Sequence, residues 1–229
     1  MADKPRPLPS NEDMDRFIID RMERDQSWRM FRIMGEFVEG FDRLAPYGST
    51  VTVYGSARVQ PGQPAYEDAE RMGTALCEAG FAVVTGGGPG AMEAANKGAS
   101  EAGGTSIGIA IDIGGEPPNE YSNVKINLHY FFVRKVMLVW RASGFVLMPG
   151  GLGTLDELFE TTTLMATEKL ETFPVVLFGT EYWVGLVDWL RERSVGDGYI
   201  SAEAIDRLVV TDDVNEAVRI METSGRRRS

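Results

Sequence analysis

A glycine-rich turn runs directly into an acidic helical stretch at residues 148–160, MPGGLGTLDELFE. Gly150, Gly151 and Gly153 carry no Cβ atom, so the backbone there can approach an anion closely. The helix that follows would aim unpaired N–H groups at that anion, and Thr154 can add a hydroxyl donor. The turn therefore predicts a small phosphate site, although tight strand-to-helix turns often need glycine where nothing binds.

Thr154 and Glu157 also have the spacing of a capping box, in which Thr154 would cap the helix and Glu157 would reach back to its backbone N–H. Spacing alone favours this structural role over catalysis. Because a bound phosphate repels a carboxylate, a catalytic Glu157 would have to point past the phosphate, toward a sugar.

Two other glycine-rich segments follow β-like runs, VYGSAR at 53–58 and VTGGGPGAM at 84–92. In the second, Gly86, Gly88 and Ala91 satisfy the dinucleotide-binding pattern, with Asp112 placed where a ribose-binding acid would lie. An NAD-dependent oxidoreductase is therefore one alternative, although the sequence shows no set of residues for hydride transfer.

The elements that position these turns alternate between apolar β-like runs and amphipathic helices. VKINLHYF is a further candidate strand, VRKVMLVWRAS is predicted as a helix, and GFVLMPGG as the strand after it. Repeated strand–helix units with continuous apolar strands predict an α/β, Rossmann-like doubly wound parallel sheet. Ligands bind such sheets outside the carboxyl ends of the strands, which is where the three glycine turns should lie.

Four segments are expected along the chain. They are a flexible tail at 1–11, an amphipathic helix at 12–45, a nucleotide-binding domain at 46–222 and a basic tail at 223–229. The apolar stripe of the N-terminal helix predicts packing against the core or against a second subunit.

Composition limits the chemistry. The net charge of −11, from 34 acids and 23 bases, argues against a nucleic-acid surface. With a single Cys77 and a single His129, neither a disulfide framework nor a histidine- or cysteine-rich metal site is expected. No signal peptide and no apolar stretch long enough for a membrane span is visible, so we expect a cytoplasmic protein without membrane partners.

The segment PGGLGTLDE at 149–157, with Arg134 and Lys135 upstream in YFFVRKVML, resembles the signature of the LONELY GUY family, also labelled lysine-decarboxylase-like. The family pattern is P-G-G-x-G-T-x-x-E, preceded by the Arg-Lys pair. The resemblance continues through YGSAR and GGGPGAMEAAN and covers roughly residues 50–215.

The resemblance implies a phosphoribohydrolase, which cleaves the N-glycosidic bond of AMP or an N6-modified (cytokinin) AMP to free base and ribose 5-phosphate. It implies Arg134 and Glu157 as the catalytic pair, Lys135 as an aid to nucleotide binding, and a homodimer or larger homo-oligomer. No cofactor is expected. Lysine decarboxylation is not expected either, because no lysine lies in a recognisable Schiff-base context.

On the same resemblance, the 5′-phosphate would be held by Gly150, Gly151, Gly153 and Thr154. Weaker candidates for nucleotide contacts are Ser56, Gly88, Met92 and Glu120. A second alternative is a non-catalytic carrier or sensor that binds a nucleotide or the molybdenum cofactor on the same loops. Such a carrier would be indicated by a missing acid at position 157, and Glu157 is present.

Overall fold

The computed structural model describes residues 26–111 and 118–225. The predicted N-terminal tail, the end of the basic tail and Asp112 lie outside these residues. Within them, no helix is long and apolar enough to cross a membrane.

A seven-stranded sheet, parallel throughout, forms the centre of the domain. Its strands are β1 Thr50–Tyr54, β2 Ala82–Thr85, β3 Ser106–Ile111, β4 Val124–Leu128, β5 Ala142–Leu147, β6 Val175–Phe178 and β7 Leu208–Thr211. Their order across the sheet is β4-β3-β2-β1-β5-β6-β7. The Rossmann-like prediction is confirmed, since the apolar strands are buried beneath helices on both faces.

The helices cover the two faces of the sheet. They are α1 Gln26–Leu44, α2 Pro64–Glu78, α3 Ala91–Glu101, α4 Phe131–Trp140, α5 Leu152–Ala166, α6 Thr180–Trp189, α7 Ala202–Asp206 and α8 Val214–Gly225. A π-helical turn, Leu190–Val195, continues α6. One core cluster joins α1, α4 and α5 to the sheet, and a second joins α2, α3 and α8 to its other face.

Helix α1 is the described part of the predicted helix at 12–45, and it ends before Pro46 as expected. Phe37, Phe41 and Leu44 pack on the core. The opposite stripe, which includes Phe31 and Met34, is exposed to solvent. One face of the apolar pattern is therefore used for packing within the chain and the other is not.

Several boundaries around α4 differ from the sequence prediction. The strand predicted as VKINLHYF ends at Leu128, and the helix predicted as VRKVMLVWRAS ends at Trp140. Helix α4 begins at Phe131 and strand β5 at Ala142, each two residues earlier than predicted. Tyr130 is extended and buried, so the helix starts directly after it and carries Phe131 and Phe132 on its exposed side. These two phenylalanines therefore lie outside the core.

The strand order reverses between β1 and β5, and the predicted glycine turns meet there. The Ser56 backbone N–H donates to the Pro149 carbonyl over 3.1 Å, which joins the turns after β1 and β5. The Ala91 N–H donates to the Ser56 carbonyl over 2.9 Å, which joins the turn after β2. Since this edge is where parallel α/β sheets bind their ligands, the fold concentrates the candidate residues in one place.

Candidate functional site

Helix α5 begins at Leu152, with Gly151 as its N-cap and no side-chain cap. Thr154 therefore lies inside the first turn, and the Leu155 N–H donates to the Gly151 carbonyl over 3.1 Å. The capping-box interpretation of Thr154 and Glu157 is wrong, because the glycine turn starts the helix before Thr154 is reached. The first N–H groups of α5 are left without an intrahelical partner, as at every helix start.

The turn before α5 is held tightly on one side and open on the other. A Cβ on Gly150 would overlap the Thr154 hydroxyl and come within 3.0 Å of the Ser56 nitrogen. The Tyr182 hydroxyl donates to the Gly150 carbonyl. Gly151 and Gly153, in contrast, are exposed, and a Cβ on either would meet nothing within 4 Å. The open side presents the helix N-terminus to any anion that approaches it.

The carboxyl group of Glu157 lies beneath the surface, on the second turn of α5. The residue is 8% exposed. Its Oε1 is 4.0 Å from the Lys135 ammonium, and its buried Oε2 has no hydrogen-bond partner in the described part of the chain. Burial raises the pKa of Glu157 to about 7, against the opposing effect of the Lys135 charge. Near neutral pH the group can therefore exist with or without its proton.

Two other buried hydroxyls, on Tyr54 and Thr161, also lack a hydrogen-bond partner among residues 26–111 and 118–225. Thr161 is one helical turn after Glu157, and Tyr54 ends strand β1. Burial, followed by the charge of Glu157, raises the pKa of Tyr54 well above its ordinary value, so its phenol stays protonated. The Thr161 hydroxyl opposes this rise as a hydrogen-bonding neighbour of the phenol, so the two hydroxyls lie close to each other. Buried polar atoms usually have partners, and the unpaired Oε2 of Glu157 can accept from a water molecule or a ligand.

Lys135 links helices α4 and α5 through an ion-pair cluster. Its ammonium donates to Asp156 over 2.7 Å and to Glu160 over 2.8 Å. Burial alone would lower the pKa of Lys135, but these two hydrogen bonds outweigh it and the pKa is raised. The lysine therefore remains charged beside the Glu157 carboxyl.

Arg134 points the other way from the same helix. Its Nε donates to the Ile109 carbonyl over 2.9 Å, and its Nη2 donates to the Gly86 carbonyl over 3.1 Å. The guanidinium is thus fixed over the carboxyl ends of β2 and β3. Its charge also acts on Glu157, where it opposes the rise in pKa as the Lys135 charge does. Arg134 therefore connects the second glycine turn with Glu157, and Lys135 lies beside Glu157 on the acidic side of α5.

A cavity of about 410 Å³ opens beside Arg134. It is lined by Glu36, Gly86, Gly87, Gly88, Met92, Ala110, Ile111, Pro118, Asn127, Leu128, His129 and Arg134. Two of the weaker sequence candidates, Gly88 and Met92, are therefore on its wall, and Glu120 is exposed and does not line it. Ser56 lies at the junction of the turns, where its hydroxyl accepts the Arg58 N–H over 3.1 Å.

A buried amide network supports the second glycine turn. Asn119 donates its side-chain N–H to the Gly88 carbonyl over 3.0 Å and to the Asn96 oxygen over 3.0 Å. Its backbone N–H donates to the Gly87 carbonyl over 2.8 Å. This role of Asn119 is not predictable from the sequence, since an asparagine after two prolines is typical of an ordinary loop.

Sequence reasoning also missed Glu36, Tyr54 and Thr161. Glu36 was assigned only to an amphipathic helix, and Tyr54 and Thr161 match the ordinary pattern of a strand and a helix. Thr161 lies one helical turn after Glu157, but the proximity of Glu36 and Tyr54 to the site depends on tertiary packing between distant segments. Glu36 and His129, for example, are 93 positions apart.

Residues 92–221, more than half of the chain, match the family model described as "Possible lysine decarboxylase". The chain belongs to this family. It is the family that the PGGLGTLDE segment and the Arg-Lys pair resemble, so that expectation is confirmed. Arg134, Lys135 and Glu157 all lie within the matched residues.

Relatives of known name agree with the assignment. The chain is 32% identical, over 174 residues, to the cytokinin riboside 5′-monophosphate phosphoribohydrolase of Mycobacterium marinum, covering 74% of this chain and 91% of the relative. It is 31% identical to the pyrimidine/purine nucleotide 5′-monophosphate nucleosidase of Escherichia coli, covering 69% of this chain and 37% of that longer protein.

Solved structures share the fold. The molybdenum cofactor binding protein of Rippkaea orientalis superposes with a TM-score of 0.58 at 17% identity, covering 77% of this chain and 96% of that one. At this identity the likeness shows the architecture alone.

The raised pKa of Glu157 predicts a pH-dependent cost to stability. Its folded pKa of about 7 lies above its ordinary value of 4.5, so the cost is absent below about pH 4.5 and complete above about pH 7. Glu157→Gln removes the charge, so the variant should gain stability relative to wild type as pH rises across this window, by on the order of 3 kcal/mol.

Urea unfolding of both proteins between pH 4.5 and 8 measures the difference. If the difference between the two unfolding free energies stays constant with pH, folding leaves the pKa of Glu157 at its ordinary value, and the prediction is wrong.

Proposed function

We propose that this protein hydrolyses the N-glycosidic bond of a nucleoside 5′-monophosphate, AMP or an N6-modified AMP, to free base and ribose 5-phosphate. The observation that carries the proposal is a buried carboxyl group with a pKa of about 7, on the same helix whose open N-terminus suits a phosphate. Membership of the family and the activities named for the relatives support it.

The geometry suggests one orientation for the nucleotide. The 5′-phosphate is placed against the N-terminus of α5, at Gly151, Gly153 and Thr154, after β5. The cavity beside Arg134 lies at the ends of β2, β3 and β4 and would take the base. The distance from β5 to β3 spans three strand spacings, which is about 14 Å at the usual spacing. This distance suits an extended nucleotide. The ribose would then lie between the two, near Glu157.

Glu157 is proposed as the catalytic carboxylate. Cleavage of the C1′–N bond leaves positive charge on the sugar, which a nearby carboxylate stabilises. Ionised Glu157 would also take a proton from the water that adds to C1′, while the base leaves with the bonding electron pair. The proton then passes from Glu157 to the departing base, directly or through water, which gives the neutral free base and restores the carboxylate. A pKa of about 7 suits this task, since proton transfer is most effective when the pKa is close to the working pH.

Arg134 and Lys135 act as fixed charges in this scheme. A guanidinium does not readily give up a proton, so Arg134 is proposed to position the nucleotide between the cavity and Glu157, not to act as an acid. Its two hydrogen bonds to backbone carbonyls hold it in place before substrate arrives. Lys135 stays charged beside Glu157, and we propose that it keeps a fraction of that carboxyl ionised and aids nucleotide binding.

The cellular setting and the assembly belong to the same proposal. We propose a cytoplasmic enzyme, because nucleoside monophosphates are found there, and cell fractionation tests this. We also propose a homodimer, because exposed apolar side chains continue along α1 and α4 next to the site. They are Trp28, Phe31, Met34, Val38, Phe131, Phe132, Val136 and Trp140.

Incubation of the purified protein with AMP or N6-isopentenyl-AMP should release free base, measured by chromatography. Glu157→Gln should lower kcat by at least about a hundredfold, because the variant can neither carry the charge nor accept the proton. It should remain folded and still bind AMP, since the phosphate turn and the cavity are unchanged.

Glu160→Gln is the matched comparison, because it lies on the same helix and removes a carboxylate from Lys135. Lys135 keeps its ion pair with Asp156, so the loss of turnover should be far smaller. If wild type binds the nucleotide but releases no base, the hydrolase proposal fails and a nucleotide carrier is favoured.

Sedimentation of the wild-type protein should give twice the mass of one chain at micromolar concentration. Phe132→Glu should weaken the assembly, since it places a charge in the exposed apolar face of α4. A single-chain mass at every concentration would exclude the homodimer.

A further inference from the structure

Glu36 brings a carboxylate from the N-terminal helix to the wall of the cavity. It lies outside the residues matched by the family model, and nothing in the sequence pattern marked it. The His129 N–H lies 3.1 Å from each of its oxygens, and the Tyr130 N–H donates to Oε2 over 3.2 Å. The side chain therefore holds the start of α4, the helix that carries Arg134.

The helix that carries Glu36 is itself firmly placed. At Gly40 it approaches α4 so closely that a Cβ would lie 2.6 Å from the Met137 sulfur. Phe41, the next residue of α1, packs against Trp140 of α4, and their rings meet edge to face with centroids 4.7 Å apart. A carboxylate fixed by its helix and by two backbone donors loses little freedom when it binds a further group, which favours a role in recognition.

The two backbone hydrogen bonds do not use all the acceptor positions of the Glu36 carboxylate. An ionised carboxylate offers about four acceptor positions, and the N–H groups of His129 and Tyr130, just before α4, share its oxygens. Glu36 thus keeps capacity to accept from a ligand in the cavity.

We propose that Glu36 determines base specificity by accepting a hydrogen bond from an exocyclic amino group of the nucleobase. The inference rests on the proposed function and on the placement of the base in this cavity. A 6-amino purine, or a purine with one substituent on that nitrogen, has the N–H that Glu36 needs. A 6-oxo purine such as that of IMP would instead present an oxygen to the carboxylate, and an N6,N6-dimethyl purine would present no donor.

The test compares kcat/KM for AMP, IMP and N6,N6-dimethyl-AMP. Wild type should prefer AMP to each of the others by at least about tenfold, as expected for a hydrogen bond to a charged acceptor. In Glu36→Gln the amide can donate to the oxygen of IMP, so the ratio of AMP to IMP activity should fall by at least about tenfold. Glu36→Ala should lose most of the preference for AMP over both other nucleotides.

Glu39→Gln is the control. Glu39 lies on the same helix, and its exposed side chain pairs with Arg43 at 3.3 Å. It does not line the cavity, and the variant should keep the wild-type ratios. Thermal denaturation of each variant shows that it is folded in the assay.

A purely structural role for Glu36 predicts a different result. If it only holds α4, its replacement would lower activity on all three nucleotides by the same factor and leave their ratios unchanged, which would overturn the proposal. Base release by wild type without any preference for AMP would also overturn it, while the hydrolase function would stand. No base release from any of them would instead overturn the proposed function.

Discussion

The burial of one carboxyl group at the reversal point of the sheet is the constraint on which the site depends. Glu157 gives up most of its hydration, and the charge of Lys135 recovers only part of the loss, so the pKa stays near 7. Helix α5 can carry such a residue because the cluster of Lys135 with Asp156 and Glu160 ties it to α4. A stability cost of this kind is common where a side chain is kept for chemistry.

The glycine turns solve a separate problem, which is to bring an anion and a carboxylate to one helix without direct repulsion. The open N–H groups are at the tip of α5, while Glu157 lies one turn further along and beneath the surface. Hydrogen bonds from Ser56 and Tyr182 hold the glycine turn after β5 in place. In the proposed mechanism, phosphate binding and bond cleavage therefore take place at two successive turns of the same helix.

The sequence was sufficient to predict the strand–helix alternation, the parallel sheet and the meeting of the glycine turns, because these follow from local patterns and one general rule for α/β sheets. It mispredicted the start of α5: the capping-box spacing was present, but Gly151 became the N-cap. Spacing cannot decide such cases, since several residues in a glycine-rich turn can begin the helix.

The partners of the site were not predictable from spacing. Tyr54 is an ordinary strand residue until the sheet places it close to Glu157. Glu36 reaches the start of α4 only after a long stretch of chain has folded between them. The Arg-Lys pair shows the same limit, since Arg134 is fixed by the ends of β2 and β3 and Lys135 by the acids of α5, although the two are neighbours in sequence.

The crystal structure of the Glu157→Gln variant with AMP tests the central claim most directly. The measured quantity is the distance from the side chain of residue 157 to C1′ of the ribose. We predict about 3 to 4 Å, the range required for reaction, with the 5′-phosphate on the N-terminus of α5. The proposed mechanism is contradicted if the nucleotide binds in the opposite sense, with its phosphate in the cavity beside Glu36. It is also contradicted if other side chains separate C1′ from residue 157.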